Sequence, residues 1–126
     1  MDPNKIAKGS EHSHQAALFC QLANHIHIWP ELAWVFAIPN GGMRSKTEAV
    51  RLKAEGVKSG VSDIFGPIPR AGYHGFFVEM KKPGMLKNES DNQKAFGAYA
   101  TSAGYIYKVF DHWLDAWEFI VEYLEQ

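Results

Sequence analysis

The first strong pattern along the chain is a helical repeat of apolar residues near the N-terminus. Leu18, Leu22 and Ile26 follow one another at intervals of four residues. That spacing places their side chains on one face of an α-helix. We predict a helix over about residues 11–28.

The next segment predicts a strand, a sharp break and a short helix. Residues 33–38 (Ala-Trp-Val-Phe-Ala-Ile) are aromatic and β-branched, which is typical of a buried strand. The sequence Pro39-Asn40-Gly41-Gly42 interrupts this run with residues that favour turns. Residues 45–55 then predict a short helix that ends at Gly56.

The middle of the chain predicts a β-hairpin. Residues 61–65 and 76–81 are short apolar runs of the kind that form strands. The segment between them, Gly-Pro-Ile-Pro-Arg-Ala-Gly-Tyr-His-Gly, is rich in turn-forming residues. We therefore expect the two strands to pair antiparallel across a long loop.

The last part of the chain predicts a helix, a strand and a final helix. Residues 90–103 fit a helix that ends near Gly104, and residues 105–110 fit a strand. Asp111 is placed to cap the final helix. The apolar residues of that helix form a single stripe, made of Trp113, Trp117, Ile120, Val121 and Leu124.

The predicted order of elements is therefore α-β-α-β-β-α-β-α. Helices on either side of a central mixed sheet indicate a layered α/β domain. The step from strand 76–81 through a helix to strand 105–110 fits a right-handed βαβ crossover. The chain has 126 residues, enough for one domain with its own core, so we interpret residues 1–126 as a single domain.

Composition narrows the class of protein. Hydrophobic residues make up 46% of the chain, as in a globular domain, and no apolar run approaches the roughly 18 residues of a membrane span. The N-terminal segment lacks the apolar stretch of a signal peptide, so we expect an intracellular, cytoplasmic protein. Cys20 is the only cysteine, which excludes an intrachain disulfide and a cysteine-based zinc cluster.

Charge is unevenly distributed, although the formal net charge is only -1. Residues 40–60 include five cations and two carboxylates, whereas residues 109–126 include five carboxylates and no cation. A chain that is slightly acidic overall can still bind phosphates through a local basic surface.

The alternation of side chains in strand 76–81 indicates a chemical site. Alternate residues of a strand share a face, so Glu79 and Lys81 point to the same side. We expect so apolar a strand to be central, where a carboxylate beside an amine is costly unless the pair has a function. The alternative is an edge strand that carries an ordinary solvent-exposed Glu/Lys pair.

Two further carboxylates can converge on the same place. Asp63 lies in the expected partner strand and can reach the same end of the sheet as Glu79. Glu11 and Gln15 share a seam with the apolar face of the first helix. Converging carboxylates suit Mg²⁺ or Mn²⁺, which prefer oxygen ligands. Alternatively, Asp63 marks a strand entry or turn, and Glu11 is an acidic residue of a frayed first turn.

Taken together, these residues resemble a known nuclease pattern. Gly60-Val-Ser-Asp63, a gap of fifteen residues and Glu79-Met-Lys81 match the PD-(D/E)xK signature, with serine where the superfamily name has proline. The fuller set resembles the virus-type replication-repair nuclease (VRR-NUC) domain, and it adds Glu11 and Gln15, Ile38-Pro-Asn-Gly-Gly42, the basic segment 44–58 and Ser90-x-x-Gln93. The resemblance covers nearly the whole chain. It implies a restriction-endonuclease-like three-layer core.

The resemblance also implies a metal-dependent DNA endonuclease. Asp63, Glu79 and the backbone carbonyl of Met80 would bind Mg²⁺ or Mn²⁺, with Glu11 helping directly or through water. Such an ion polarises the scissile phosphate and lowers the pKa of a bound water. Lys81 would orient that water or stabilise the developing negative charge. Hydrolysis in this family leaves a 5′-phosphate and a 3′-hydroxyl.

Other candidate residues have two interpretations each. Ser90-Asp-Asn-Gln93 fits a capping box, whereas the resemblance places Gln93 at the edge of the active site as a catalytic residue. The backbone amides of Asn40, Gly41 and Gly42 could bind a phosphate or could simply form a tight turn. The cationic candidates for DNA binding could also be plain surface residues, and they are Arg44, Lys46, Lys82, Lys87 and Lys94.

The expected substrate is branched DNA, and the expected assembly is a homodimer. Stand-alone VRR-NUC members are similar to resolvases of four-way (Holliday) junctions, which pair two active sites across a two-fold axis. Any of the four tryptophans left exposed would favour association, and these are Trp29, Trp34, Trp113 and Trp117. The alternatives are a core that buries all four, a flap- or single-strand-directed nuclease, and a non-catalytic nucleic-acid-binding module.

Overall fold

Residues 1–39 and 45–126 are described by a computed structural model, and within them the elements follow the predicted order. The helices are α1 (Glu11–Asn24), α2 (Lys46–Ala54), α3 (Asp91–Ser102) and α4 (Trp113–Leu124). The strands are β1 (Phe36–Ala37), β2 (Ile64–Gly66), β3 (Phe76–Met80) and β4 (Ile106–Phe110). Short 3-10 helices occupy Pro3–Lys5 and Pro30–Trp34.

The strands form one mixed sheet in the order β1-β2-β3-β4. β2 pairs antiparallel with β1 and with β3, which confirms the predicted hairpin. β3 pairs parallel with β4, and the chain passes through α3 between them, as the predicted crossover requires. β3 is therefore an interior strand of the sheet.

The sheet lies between two layers of helix. One of its faces joins α1 and α4 in the main core, whose buried residues include Leu18, Leu22, Ile64, Phe76, Val78, Met80, Trp113, Trp117 and Ile120. On the other face, α3 packs Phe96 against Phe77, with ring centroids 5.0 Å apart. α3 also places Gly97 so close to Tyr107 that an added Cβ would lie 2.6 Å from the ring. The predicted three-layer α/β architecture is confirmed.

A row of aromatic side chains crosses the α3 face of the sheet. Phe36, Phe65, Phe77 and Tyr107 are partners in register across the four strands. Phe65 and Phe77 stack with their ring centroids 4.5 Å apart. Glu79 lies two residues beyond Phe77 and so on the same face. The aromatic row therefore ends directly beside the polar residues of the candidate site.

The prediction of a buried strand over residues 33–38 is wrong. Pro30–Trp34 forms a 3-10 helix, and only Phe36–Ala37 pairs with the sheet. Trp34 is 72% exposed and Phe36 is 49% exposed. Among the described strands β1 pairs with β2 alone, and the side chain of Phe36 reaches solvent. The expectation that so apolar a run must be buried therefore fails here.

α1 and α4 begin and end slightly differently from the predictions. α1 ends at Asn24 instead of Ile28. None of the described helices is long and apolar enough to cross a membrane. α4 is capped by His112, whose side chain accepts a hydrogen bond from the Leu114 N–H. The carboxylate of Asp111 instead accepts from the Gly84 N–H, 3.0 Å away. The predicted Asp111 cap is therefore wrong by one residue.

Candidate active site

Three carboxylates from three separate elements meet at one place. Glu11 is the first residue of α1, Asp63 directly precedes β2, and Glu79 lies in β3. One carboxylate oxygen of each lies within 4.8 Å of the others. Glu11 is exposed, Asp63 is half-buried and Glu79 is almost fully buried. The structure thus brings together the three carboxylates that the sequence singled out.

Local hydrogen bonds fix the position of Asp63. The register Ile64↔Val78 continues by one residue, so Asp63 stands opposite Glu79. The Met80 N–H donates to Asp63 Oδ2 over 2.8 Å, and the Ile38 N–H donates to the Asp63 carbonyl oxygen over 2.7 Å. The Asp63 carboxylate is therefore held against β3, while its backbone is held against the residue after β1.

The N-terminal cap of α1 determines the position of Glu11. The Ser10 hydroxyl accepts a hydrogen bond from the Ser13 N–H and caps the helix. Such a cap satisfies one of the free N–H groups at a helix start and determines where the helix begins. Glu11 is consequently the first helical residue, and its side chain reaches the carboxylates of the sheet.

The pKa of each of the three carboxylates is raised, with burial as the largest cause. Burial and the nearby Asp63 together raise the pKa of Glu79 to about 9, against the opposing effect of Lys81. Burial also raises the pKa of Asp63, although the Met80 N–H counteracts this effect. Burial and the charge of Asp63 raise the pKa of Glu11. Three clustered carboxyl groups whose ionised forms are disfavoured by burial form a site that a cation would stabilise.

Lys81 lies beside these carboxylates and is almost fully buried. Its ammonium donates to Gln93 Oε1 over 2.7 Å and lies 3.9 Å from Glu79 Oε2. Because β3 is an interior strand and both side chains are buried, the alternative of an exposed Glu/Lys pair on an edge strand is wrong.

Gln93 forms the predicted capping box and also contacts the Glu79/Lys81 pair, while a catalytic role for it stays a prediction. Its Nε2 donates to Glu79 Oε2 over 2.9 Å, and its Oε1 accepts from Lys81. The same Oε1 accepts from the Ser90 N–H, and the Ser90 hydroxyl accepts from the Gln93 N–H, which completes a capping box. The start of α3 and the Glu79/Lys81 pair are therefore held by one amide group.

The donor set fits a divalent cation that prefers oxygen. Glu79 Oε1 is buried and has no hydrogen-bond partner among the described residues. A buried carboxylate oxygen without a partner is costly unless another group compensates it. Carboxylate oxygens from Glu11 and Asp63 lie close to Glu79, and such hard ligands suit Mg²⁺ or Mn²⁺.

Comparison with known proteins gives a structural relative. No protein-family model and no curated protein matches the sequence. A solved structure described as "VRR_NUC domain protein" superposes with a TM-score of 0.79 at 25% sequence identity, over 94% of this chain and 92% of that chain. The chain has the VRR-NUC fold. The resemblance predicted from the Asp63 and Glu79-Met-Lys81 motifs is thereby confirmed, and the relative's name indicates a domain of nuclease type.

One further contact near the Glu79/Lys81 pair was not predicted. The Tyr107 hydroxyl donates to Glu89 Oε2 over 2.6 Å, and Glu89 directly precedes the cap residue Ser90. Burial and the adjacent Glu89 carboxylate raise the pKa of Tyr107. These two residues are 18 positions apart in the sequence. Neither belongs to a recognisable motif, so only the pairing of β4 beneath α3 brings them together.

An open cleft extends from the three carboxylates along α1. Its described lining comes from α1, from the end of β1 and from Asp63, and it comprises Ser10, Glu11, His12, Gln15, Ala16, Phe19, Ala37, Ile38, Pro39 and Asp63. The sequence analysis did not propose His12, Ala16 or Phe19. The four-residue spacing of Glu11, Gln15 and Phe19 along one helix face is the signal that could have identified the cleft wall.

The structure describes some of the candidate DNA-binding residues and not others. Asn40, Gly41, Gly42 and Arg44 lie outside the described residues. The other candidate cations for DNA binding are described and all exposed, and they are Lys46, Lys82, Lys87 and Lys94. Lys82 and Lys94 directly follow Lys81 and Gln93 in the sequence. Contacts between these lysines and phosphates stay a prediction.

Proposed function

We propose that this VRR-NUC domain is a DNA endonuclease that depends on Mg²⁺ or Mn²⁺. The observation that carries the proposal is the convergence of Glu11, Asp63 and Glu79, whose carboxylate oxygens lie within 4.8 Å of one another beside the buried Lys81. Perturbed acids clustered with a buried cation are typical of functional sites. The relative described as a VRR_NUC domain protein supports the same class of activity.

The metal would be held by Glu11, Asp63, Glu79 and the backbone carbonyl of Met80. The unpartnered Oε1 of Glu79 supports this assignment because it leaves one buried ligand atom free. When bound, the cation supplies Lewis-acid polarisation of the phosphate and a lowered pKa for an attacking water.

The protein groups then position and stabilise the reacting phosphate. One N–H of the Lys81 ammonium is occupied by Gln93, which leaves donors for the attacking water or for a phosphate oxygen that gains negative charge. Water attacks phosphorus and the bond from phosphorus to O3′ breaks. The phosphate stays on O5′ of the downstream fragment as a 5′-phosphate, and the leaving O3′ of the upstream fragment takes a proton to become a 3′-hydroxyl.

The substrate that fits this proposal is branched DNA, with four-way junctions cut by a homodimer. Trp113 and Trp117 are buried in the core, whereas Trp34 just before β1 and Phe36 within β1 are exposed. An exposed aromatic patch at a free strand edge favours association with a second copy. A two-fold dimer would present two carboxylate clusters to the two symmetric strands of a junction.

The activity is tested with a panel of DNA substrates. The panel comprises linear duplex, single strand, flap, fork and four-way junction, each with Mg²⁺ or Mn²⁺. We expect wild-type protein to nick the branched substrates, and we expect Glu79→Gln and Lys81→Ala to abolish nicking while folding and DNA binding remain. Binding without nicking on any substrate would make the domain a nucleic-acid-binding module. Cleavage confined to flaps or single strands would overturn the junction assignment alone.

A further inference from the structure

We propose that the cleft beside the carboxylates binds an unpaired nucleotide that adjoins the scissile phosphate. The proposal rests on the proposed nuclease function, because it takes the carboxylate cluster as the position of that phosphate. The cleft begins at Glu11 and Asp63 and follows α1 to Phe19. Its opposite wall is formed by Ala37, Ile38 and Pro39.

The length of the cleft fits a nucleotide that has left the base stack. Glu11 and Phe19 are two positions of one helix, separated by about 12 Å at 1.5 Å per residue. That length is several times the roughly 3.4 Å rise of a nucleotide along a stacked DNA strand. A sugar and base that extend away from the phosphate would therefore fit along this wall.

The chemistry of the lining favours a neutral, flat group over a phosphate. Among the described lining residues there is no lysine or arginine, and Glu11 and Asp63 lie at one end. Polar side chains lie at that end (Ser10, His12 and Gln15), where they could bind the edge of a base. Apolar groups form the rest of the lining, with Ala16 and Phe19 farther along α1 and Ile38 and Pro39 on the opposite wall, and a base could stack or pack against them.

Base pairing in the DNA determines which substrates can place a base in the cleft. A base inside a duplex must leave its stack before it enters a protein pocket, and the cost is smallest where the base is already unpaired. The cleft should therefore discriminate in favour of single strands and of branch points with an unpaired nucleotide next to the cleaved bond. A continuous duplex would leave the cleft empty.

The inference is tested by filling the cleft with a bulky side chain. Ala16 is exposed on α1 and lines the cleft, so Ala16→Trp would occupy the space proposed for the base. Ala23→Trp is the matched control, because Ala23 is exposed on the same helix and does not line the cleft. Gln15→Ala provides a second variant that removes a proposed contact without adding bulk. Thermal unfolding checks that every variant folds.

Binding is measured by fluorescence anisotropy with a labelled single strand and its duplex, in chelator so that no cleavage occurs. We expect Ala16→Trp to weaken single-strand binding by roughly fivefold or more, as the loss of one stacked base implies. Gln15→Ala should weaken it less, Ala23→Trp should bind as wild type does, and duplex binding should not change. Unchanged single-strand binding by both cleft variants, or an equal loss of duplex binding, would overturn the proposal.

These outcomes are separate from those of the nuclease proposal. If wild-type protein nicks DNA but the cleft variants bind the single strand normally, the cleft assignment fails and the nuclease remains. If the cleft variants lose single-strand binding but wild-type protein never nicks DNA with added metal, the nuclease fails and the cleft is a binding site only.

Discussion

Gln93 contributes both to the stability of the fold and to the geometry of the candidate site. Its Oε1 accepts hydrogen bonds from both the Ser90 N–H and the Lys81 ammonium, and its Nε2 donates to Glu79. The capping box stabilises the start of α3, while the other two bonds hold the catalytic candidates in place. Substitutions at Ser90 and Gln93 can therefore separate the two roles.

We predict that Gln93→Ala and Ser90→Ala lower stability similarly but differ in activity. Each removes part of the same cap, which is worth about 1 kcal/mol of unfolding free energy. Only Gln93→Ala also frees Lys81 and Glu79, so only this variant should lose most of its nicking rate. Urea unfolding and initial nicking rates measure the two effects. If Ser90→Ala is as inactive as Gln93→Ala, the cap alone explains the loss.

At the scale of elements, the buried His14 joins α1 to α4 by a hydrogen bond. His14 Nδ1 accepts a hydrogen bond from the Trp113 N–H, 3.1 Å away, at the start of α4. Burial and the nearby His112 lower the pKa of His14, against smaller opposing effects of the Lys8 backbone and of Asp111. The neutral form of His14 is therefore the one that supports this contact between the two helices.

This contact makes stability depend on pH in a defined direction. Because the folded-state pKa of His14 is lowered, the unfolded chain gains its proton first as pH falls below about 6.5, and unfolding becomes easier. We predict that wild-type protein loses more unfolding free energy between about pH 7.5 and about pH 5.5 than His14→Asn, which keeps an acceptor but does not titrate. Urea unfolding at both pH values measures this difference. Equal losses in the two proteins would contradict the prediction.

The elements also show what a sequence can and cannot predict here. The proximity of Asp63 and Glu79 could be predicted from the sequence, because strand alternation and hairpin pairing involve residues that are close in the sequence. Burial of residues 33–38 could not be predicted, because an edge strand and an interior strand have similar local composition. Similarly, Asp111 has a good capping side chain, but Gly84 from a distant loop binds it. The local preference of a side chain for a cap is not realised where a residue from a distant segment takes up its hydrogen bond.

At the scale of the whole molecule, the open edge of the sheet bears on assembly. Trp34 is largely exposed next to β1, while Trp113 and Trp117 are used by the core. We predict that light scattering gives the mass of two chains at micromolar concentration and that Trp34→Ser shifts it toward one chain. Leu114→Ser is a matched control, since Leu114 is exposed on α4 and away from this edge. A wild-type mass of one chain would contradict the dimer.

The central claim is that the Glu11, Asp63 and Glu79 cluster is a metal-dependent catalytic site. The most direct test strips wild-type protein of divalent cations and measures nicking of a four-way junction before and after Mg²⁺ or Mn²⁺ is added. The claim predicts no nicking in chelator, full nicking after addition and only a modest change in thermal stability. Nicking that persists in chelator would contradict the claim, and so would unfolding on chelation, which is the behaviour of a structural ion.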